Sequence, residues 1–149
     1  SGAQSTISAM KSRITAAIKS AKKSKPITFF HELDNTLYSA TSDTFIGKVY
    51  KDFNLKNIAD PAASADSAGY PQLQSEYLIK ANPRVIFLAD AQYGESITTL
   101  ATRPGWNGIA AVKNKDVVAL PEDIPSRWGP RLADFYEFIA KSISGIGKK

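Results

Sequence analysis

The stretch "IKANPRVIFLADAQYGE", residues 79–95, decides how the chain folds. It holds the end of a helix, a stop, a strand and a polar loop in seventeen residues. The helix is read over 74–81, "QSEYLIKA", and Asn82-Pro83 ends it, because a residue before proline is pushed out of the helical region. "VIFLA" (85–89) then has no polar position at all. A strand with one wet face alternates, whereas a strand buried on both faces does not. The same type recurs in "ITFFHEL" (27–33) and "VVAL" (117–120), and helical stretches lie between the three. Strands of this kind alternating with helices predict a parallel sheet covered on both sides, an α/β three-layer domain with right-handed crossovers.

Working outward, "TFIGKVYKDF" (44–53) is read as a helix with Asp43 as its N-cap. "NIADPAASADSAGYP" (57–71) is read as loop with a short strand at its start. "SITTLAT" (96–102) is helical, "RPG" (103–105) is a turn, and "WNGIAAV" (106–112) is a short helix. "RLADFYEFIAKSI" (131–143) is amphipathic, with Leu132, Phe135, Tyr136, Ile139 and Ile143 turned inward. The opening segment is a helix as well, since Ile7, Met10, Ile14, Ala17, Ile18 and Ala21 recur at spacings of three and four. Ser1-Gly2 reads as a tag remnant.

Composition narrows the class. The 149 residues include 43% apolar and 22% charged residues, the profile of a globular protein, and one domain of this size buries a real core. No run approaches the ~20 apolar residues of a membrane helix. The absence of cysteine excludes disulfides and thiolate metal sites. The net charge of +5 is uneven: residues 1–26 carry six basic residues and no acid, and the remainder is near neutral. No aromatic residue accompanies the basic helix, so nucleic acid is not the expected partner, and a solvated helix face is the simpler reading.

Ligands of open parallel sheets sit outside the carboxyl ends of the strands. Three loops leave those ends: 34–43, 90–95 and 121–131. They bring Asp34 with Tyr38, Asp90 and Glu95 with Tyr93, and Glu122 and Asp123 with Trp128, while Arg127 and Arg131 add cations. A polar and aromatic rim suits a ligand with flat and charged parts. "FFHELDNTLYS" (29–39) also resembles the first loop of the haloacid dehalogenase-like phosphatases, with Glu32 where those enzymes have their nucleophilic Asp, and Asp34 as the second acid. Glu is one methylene too long for that attack, and no lysine or clean acid pair follows where magnesium-dependent phosphoryl transfer needs them. His31, the only histidine, lies inside a strand, where packing and hydrogen bonding are its ordinary lot. Whether Glu32 and His31 touch a ligand or support the loop that does is open from sequence.

"YPQLQSEYLIKANPRVIFLADAQYG" (70–94), "RPGWNGIAAVKNKDVVAL" (103–120) and "SRWGPRLADFYEFIA" (126–140) together resemble the substrate-binding proteins of ABC importers for iron-siderophores, haem and cobalamin. The resemblance implies a Rossmann-like C-terminal lobe over 27–149, preceded over 3–26 by the end of the helix that joins two lobes. It implies a non-enzymatic, monomeric binding protein without a cofactor, which captures a metal chelate between the lobes and hands it to the ABC permease. It implies a periplasmic or extracellular, membrane-tethered lipoprotein in the full-length chain. On this reading Asp34, Tyr38, Tyr93, Arg127 and Trp128 face the ligand, and Glu76 offers its carboxylate to arginines of the permease. The magnesium-dependent phosphatase stands as the alternative.

Overall fold

The fold is described from a computed structural model covering residues 2–146, with side chains from residue 6 onward. Ser1, the first half of the expected tag remnant, lies outside the described residues. Among the described residues the elements run α1 (Gly2–Ala21), β1 (Ile27–Glu32), α2 (Phe45–Asp52), β2 (Leu55–Asn57), α3 (Ser75–Ala81), β3 (Val85–Leu88), α4 (Ile97–Thr102), α5 (Ala110–Lys113), β4 (Val117–Ala119) and α6 (Pro130–Ile143). The strands form one sheet in the order β2-β1-β3-β4, and all three pairings are parallel. This is the α/β three-layer lobe that the doubly apolar strands predict.

Alternation along the strands builds two cores. Phe29, Val85 and Phe87 point to one face, where they meet Tyr50 and Phe53 from α2 and its end, Ile14 and Ala17 from α1, and Leu132, Phe135 and Ile139 from α6. Phe30, Ile86 and Leu88 point to the other, against Leu78, Leu100, Trp106 and Ala111. All five α6 positions expected to face inward are buried. The stripe of α1 is sorted more finely: Ile14, Ala17 and Ala21 are buried, whereas Ile7 is exposed. Arg13 of α1 holds the helix to α6 through Glu137 and Asp134, at 2.5–3.0 Å.

Four local expectations are corrected. The N-cap of α2 is Thr44, not Asp43: the Thr44 hydroxyl accepts the Gly47 amide at 3.0 Å, a role Asp43 cannot take from one residue further back. The second edge strand is Leu55–Asn57, so it ends where the loop was expected to begin; Leu55 and Asn57 are buried with exposed Lys56 between, an alternation too short to stand out. Residues 106–112 are not one helix. A 3₁₀ turn at Trp106–Gly108 stops at Ile109, whose extended backbone restarts the chain as α5. Asp90, expected on the rim, is buried at the end of β3.

Parallel order fixes what each edge of the sheet carries. Strands end on the carboxyl edge, and the helices that lead into a strand, α1, α2, α3 and α5, end on the amino edge, as does α6. Lys19, Lys51, Lys80, Lys113 and Lys141 occupy the last turns of α1, α2, α3, α5 and α6, where a cation complements the negative end of the helix dipole.

α2 approaches the preceding loop closely at Gly47. A Cβ there would lie 1.9 Å from the carbonyl oxygen of Thr41 and 2.6 Å from its carbon. Those atoms belong to the backbone of the β1–α2 loop and cannot rotate away. Ala is worth about 1 kcal/mol more than Gly in a free helix. Here Gly47→Ala should instead destabilise the fold by about 2 kcal/mol or more, by displacing α2 from the loop it caps. Thermal unfolding measures it; Gly108→Ala, whose added Cβ meets nothing within 4 Å, is the neutral reference.

Candidate functional site

The sheet order places the reversal of chain direction between β1 and β3. The chain leaves β1 for β2 on one side and returns to β3 on the other. A crevice at the carboxyl ends of such a pair is the usual ligand position in open α/β sheets. Glu32 ends β1, and Asp90 follows β3 by two residues.

Glu32 is wholly buried, so its charge needs a partner. Arg103, in the turn after α4, supplies two parallel hydrogen bonds of 2.6 and 2.9 Å. The same guanidinium donates to Glu95 at 2.8 Å and lies over the Trp106 ring, 4.5 Å from its centroid. Trp106 in turn donates its indole N–H to Ser75 at the start of α3, 2.7 Å away. Burial pulls the Arg103 pKa down, but the Glu32 and Glu95 carboxylates outweigh it and hold the guanidinium charged. Glu32 therefore has both oxygens occupied and no exposure from which to attack a phosphate, and the phosphatase reading loses its nucleophile.

Asp90 completes the cluster differently. It is 2% exposed, and neither carboxylate oxygen has a hydrogen-bond donor in reach. Burial first, then the adjacent Glu32 carboxylate, pushes its pKa up to about 8, so that at neutral pH it keeps its proton. His31, on the opposite face of β1, shares a 2.7 Å hydrogen bond with the Tyr50 hydroxyl. Burial lowers its pKa to about 4, so it is a neutral core residue and has no path to a ligand.

The expected rim residues divide into separate groups. Asp34 is exposed and folded into its own turn, its Oδ1 accepting the Thr36 amide at 2.9 Å and the Thr36 hydroxyl. The turn ends at Leu37, whose φ of +74° is unusual for a residue with a Cβ. Leu37 packs against the second core, and Tyr38 bridges to Gln72, which fixes the loop from both sides. The exposed ring of Tyr38 thus stands on a braced loop. Tyr93 is the most exposed large hydrophobic residue of the lobe, at 81%. Arg127 and exposed Trp128 stand together beside a cavity of about 530 Å³, where Phe45, Lys48, Leu132 and Tyr136 are their neighbours. Arg131 instead pairs with Asp123. Glu76 is exposed in the first turn of α3.

The Arg103 network was not singled out from sequence. Its signal is an acid at the buried end of an apolar strand, which obliges a cation elsewhere, but nothing local says that the cation lies 71 residues away. Among the described residues there is no group of three acidic, histidine or cysteine side chains placed to hold a metal ion.

A family model described as periplasmic binding protein matches residues 2–124. An ABC transporter substrate-binding lipoprotein of Bacillus subtilis is 32% identical over 127 residues, covering 84% of this chain and 38% of that protein. A possible iron-binding, periplasmic solute-binding protein from Staphylococcus epidermidis is 26% identical with a TM-score of 0.79, over 95% of this chain and 54% of that one. The vitamin B12 binding protein of Vibrio cholerae superposes with a TM-score of 0.72 at 21% identity, over 93% of this chain and 52% of its own; this likeness is one of fold. The chain spans about half the length of these solved structures, and less than half of the curated relative.

Two measurements test the buried network. Arg103→Gln leaves a buried carboxylate without its fork and should cost about 3–5 kcal/mol in unfolding free energy. Asp90 binds its proton more tightly when folded than when unfolded, so stability should fall as pH rises from about 4 through about 8. His31 works in the opposite sense, but only below its unfolded value of about 6.5. Between about pH 6.5 and 8 the loss belongs to Asp90, and Asp90→Asn should flatten that limb; an unchanged slope would show that Asp90 is ionised.

Proposed function

The chain belongs to the periplasmic binding protein family, and on that premise we propose that it is the C-terminal lobe of the substrate-binding component of an ABC importer. Residues 27–149 form the lobe, and α1 is the end of the helix that joins it to a partner lobe. The ligand is a metal chelate of the ferric siderophore, haem or cobalamin kind. It is held between two lobes whose closure presents it to the membrane permease. The full-length protein works outside the cytoplasmic membrane, tethered as a lipoprotein.

One observation supports the ligand site above the others. Arg127 and Trp128 share a cavity that runs along α2 from Phe45 to Asp52, so a charged fork and an exposed ring stand within one ligand's reach. Arg binds carboxylate or phenolate groups through paired hydrogen bonds, and an indole face packs on a macrocycle or catechol. Asp34, Tyr38 and Tyr93 contribute from the two neighbouring loops. Docking falls to Glu76: its short helix starts on the same edge, and Trp106 holds that helix through Ser75. An exposed carboxylate so placed can take a guanidinium of the permease.

The two tryptophans make the ligand site measurable. Trp106 is 1% exposed and Trp128 is 60% exposed, so a chelate that reaches the proposed site should quench Trp128 alone. Titration of the full-length protein with a ferric siderophore, haem and cobalamin should show saturable quenching with one of them. Trp128→Phe should remove that signal, and Arg127→Ala should weaken binding by about tenfold, or ~1.4 kcal/mol. If neither substitution changes binding, the site lies elsewhere. Glu76→Arg should leave the dissociation constant unaltered and reduce uptake in cells; undiminished uptake would remove Glu76 from docking.

A further inference from the structure

The amino edge of the sheet carries a surplus of lysine that the fold does not require. The five lysines in helix last turns complement dipoles, as described above. Lys22, Lys25, Lys56 and Lys115 lie outside every helix and are exposed on the same edge. Their placement follows from the backbone. Lys22 and Lys25 lie in the α1–β1 connection, next to the end of α2, where the Lys23 amide donates to Phe53 O and Asn54 donates to Lys23 O. Lys56 is paired with Thr28 near the start of β1. Lys115 precedes β4, beside the start of β3, where the Ile86 amide donates to Asp116 O.

None of these four is in an ion pair among the described residues. The acids of this edge are already engaged: Asp116 with Arg84 at 2.6 Å, and Asp52 by the Tyr136 hydroxyl at 2.6 Å. The opposite edge has the reverse character. Its loops carry Asp34, Asp43, Asp60, Glu95, Glu122 and Asp123 against Arg103, Arg127 and Arg131, of which Arg103 pairs with Glu95 and Arg131 with Asp123. The lobe is thus charged oppositely at the two ends of its strands.

We propose that this amino edge is a surface for an anionic lipid bilayer. Its cations are spread over several separate connections, so they meet a planar charge better than a single ligand. The large exposed hydrophobic residues (Ile7, Tyr38, Tyr70, Tyr93 and Trp128) lie in the first half of α1 or in loops of the carboxyl edge. Among the described residues the amino edge accordingly has no large exposed ring to stack on nucleic-acid bases and no wedge to enter the acyl region. Adsorption there is electrostatic and superficial, at roughly fivefold in partitioning per lysine. That a bilayer is within reach rests on the tethered-lipoprotein reading. On the lipid, the cationic edge turns the acidic edge away from the surface, so the adsorbed lobe is held in an orientation that differs from the docked one.

The test uses the chain alone with vesicles, so it does not depend on the transport reading. Co-sedimentation is measured with phosphatidylcholine vesicles with and without phosphatidylglycerol. Binding should require phosphatidylglycerol and should disappear in high salt. Lys22→Gln, Lys25→Gln and Lys56→Gln combined should reduce it by roughly a hundredfold. The same charge loss at Lys11, Lys48 and Arg131, away from this edge, should reduce it far less. Equal losses from both triple variants would mean net charge alone acts, and would overturn the assignment. So would binding to a soluble polyanion such as heparin with vesicles left unbound, or no vesicle binding at low salt. Far-ultraviolet circular dichroism confirms that each variant is folded before it is compared.

Discussion

A carboxylate wholly out of water must be answered by a cation, and at the end of β1 that cation is Arg103. Its guanidinium gives two bonds to Glu32 and one to Glu95, and lies over Trp106. Trp106 passes the constraint to α3 through Ser75. Three connections at the carboxyl edge are therefore set by one side chain: the loop after β1, the loop before α4, and the start of the helix that carries Glu76. Lysine could not replace it, because a point charge cannot form the planar fork and lie over a ring together. Asp90, protonated beside this cluster, keeps the local charge from becoming two carboxylates in excess of the cation.

Parallel pairing decides the remaining electrostatics. With every strand in one direction, the ends of α1, α2, α3, α5 and α6 gather on the amino edge, and the lysines of their last turns gather with them. The basic opening segment was therefore only partly a property of α1. Half of its six cations (Lys22, Lys23 and Lys25) come after the helix and lie at the amino edge, and Lys23 donates to the carbonyls of Ile143 and Ile146 at the end of α6. The segment that seemed separable in sequence is bonded to the last helix of the lobe.

Much of the architecture was legible because it depends on local signals. The doubly apolar strands β1 and β3, Asn82-Pro83 as a stop and the inward stripe of α6 survive in three dimensions, whereas β4, read as the same type, is an edge strand with half-buried Val117 and Val118 and exposed Ala119. The corrected features are those where the signal is shared with a neighbour. Thr44 and Asp43 are both good caps, and only the backbone path decides between them. The strand β2 is three residues long, with its one exposed position a lysine, so its burial comes from α2 and β1 and cannot be read in its own pattern. At the site, residue types were legible but partnerships were not. Glu32 and Asp90 were visible as acids at strand ends, yet that one is clamped by Arg103 and the other protonated follows from contacts distant in sequence.

The likeness of "FFHELDNTLYS" to a catalytic loop can now be given a physical account. Two acids at a spacing of two would share a face if the strand continued. The strand stops at Glu32, which points into the second core, while the turn stabilised by Asp34 and Thr36 carries the next acid out to solvent. A phosphatase needs both carboxylates converging on one metal and one phosphate, whereas here one is consumed by an arginine and the other by its own backbone. What the two kinds of loop have in common is the problem they solve: a buried strand must break into a polar turn within two residues, and acids that accept backbone amides are the residues that make such turns.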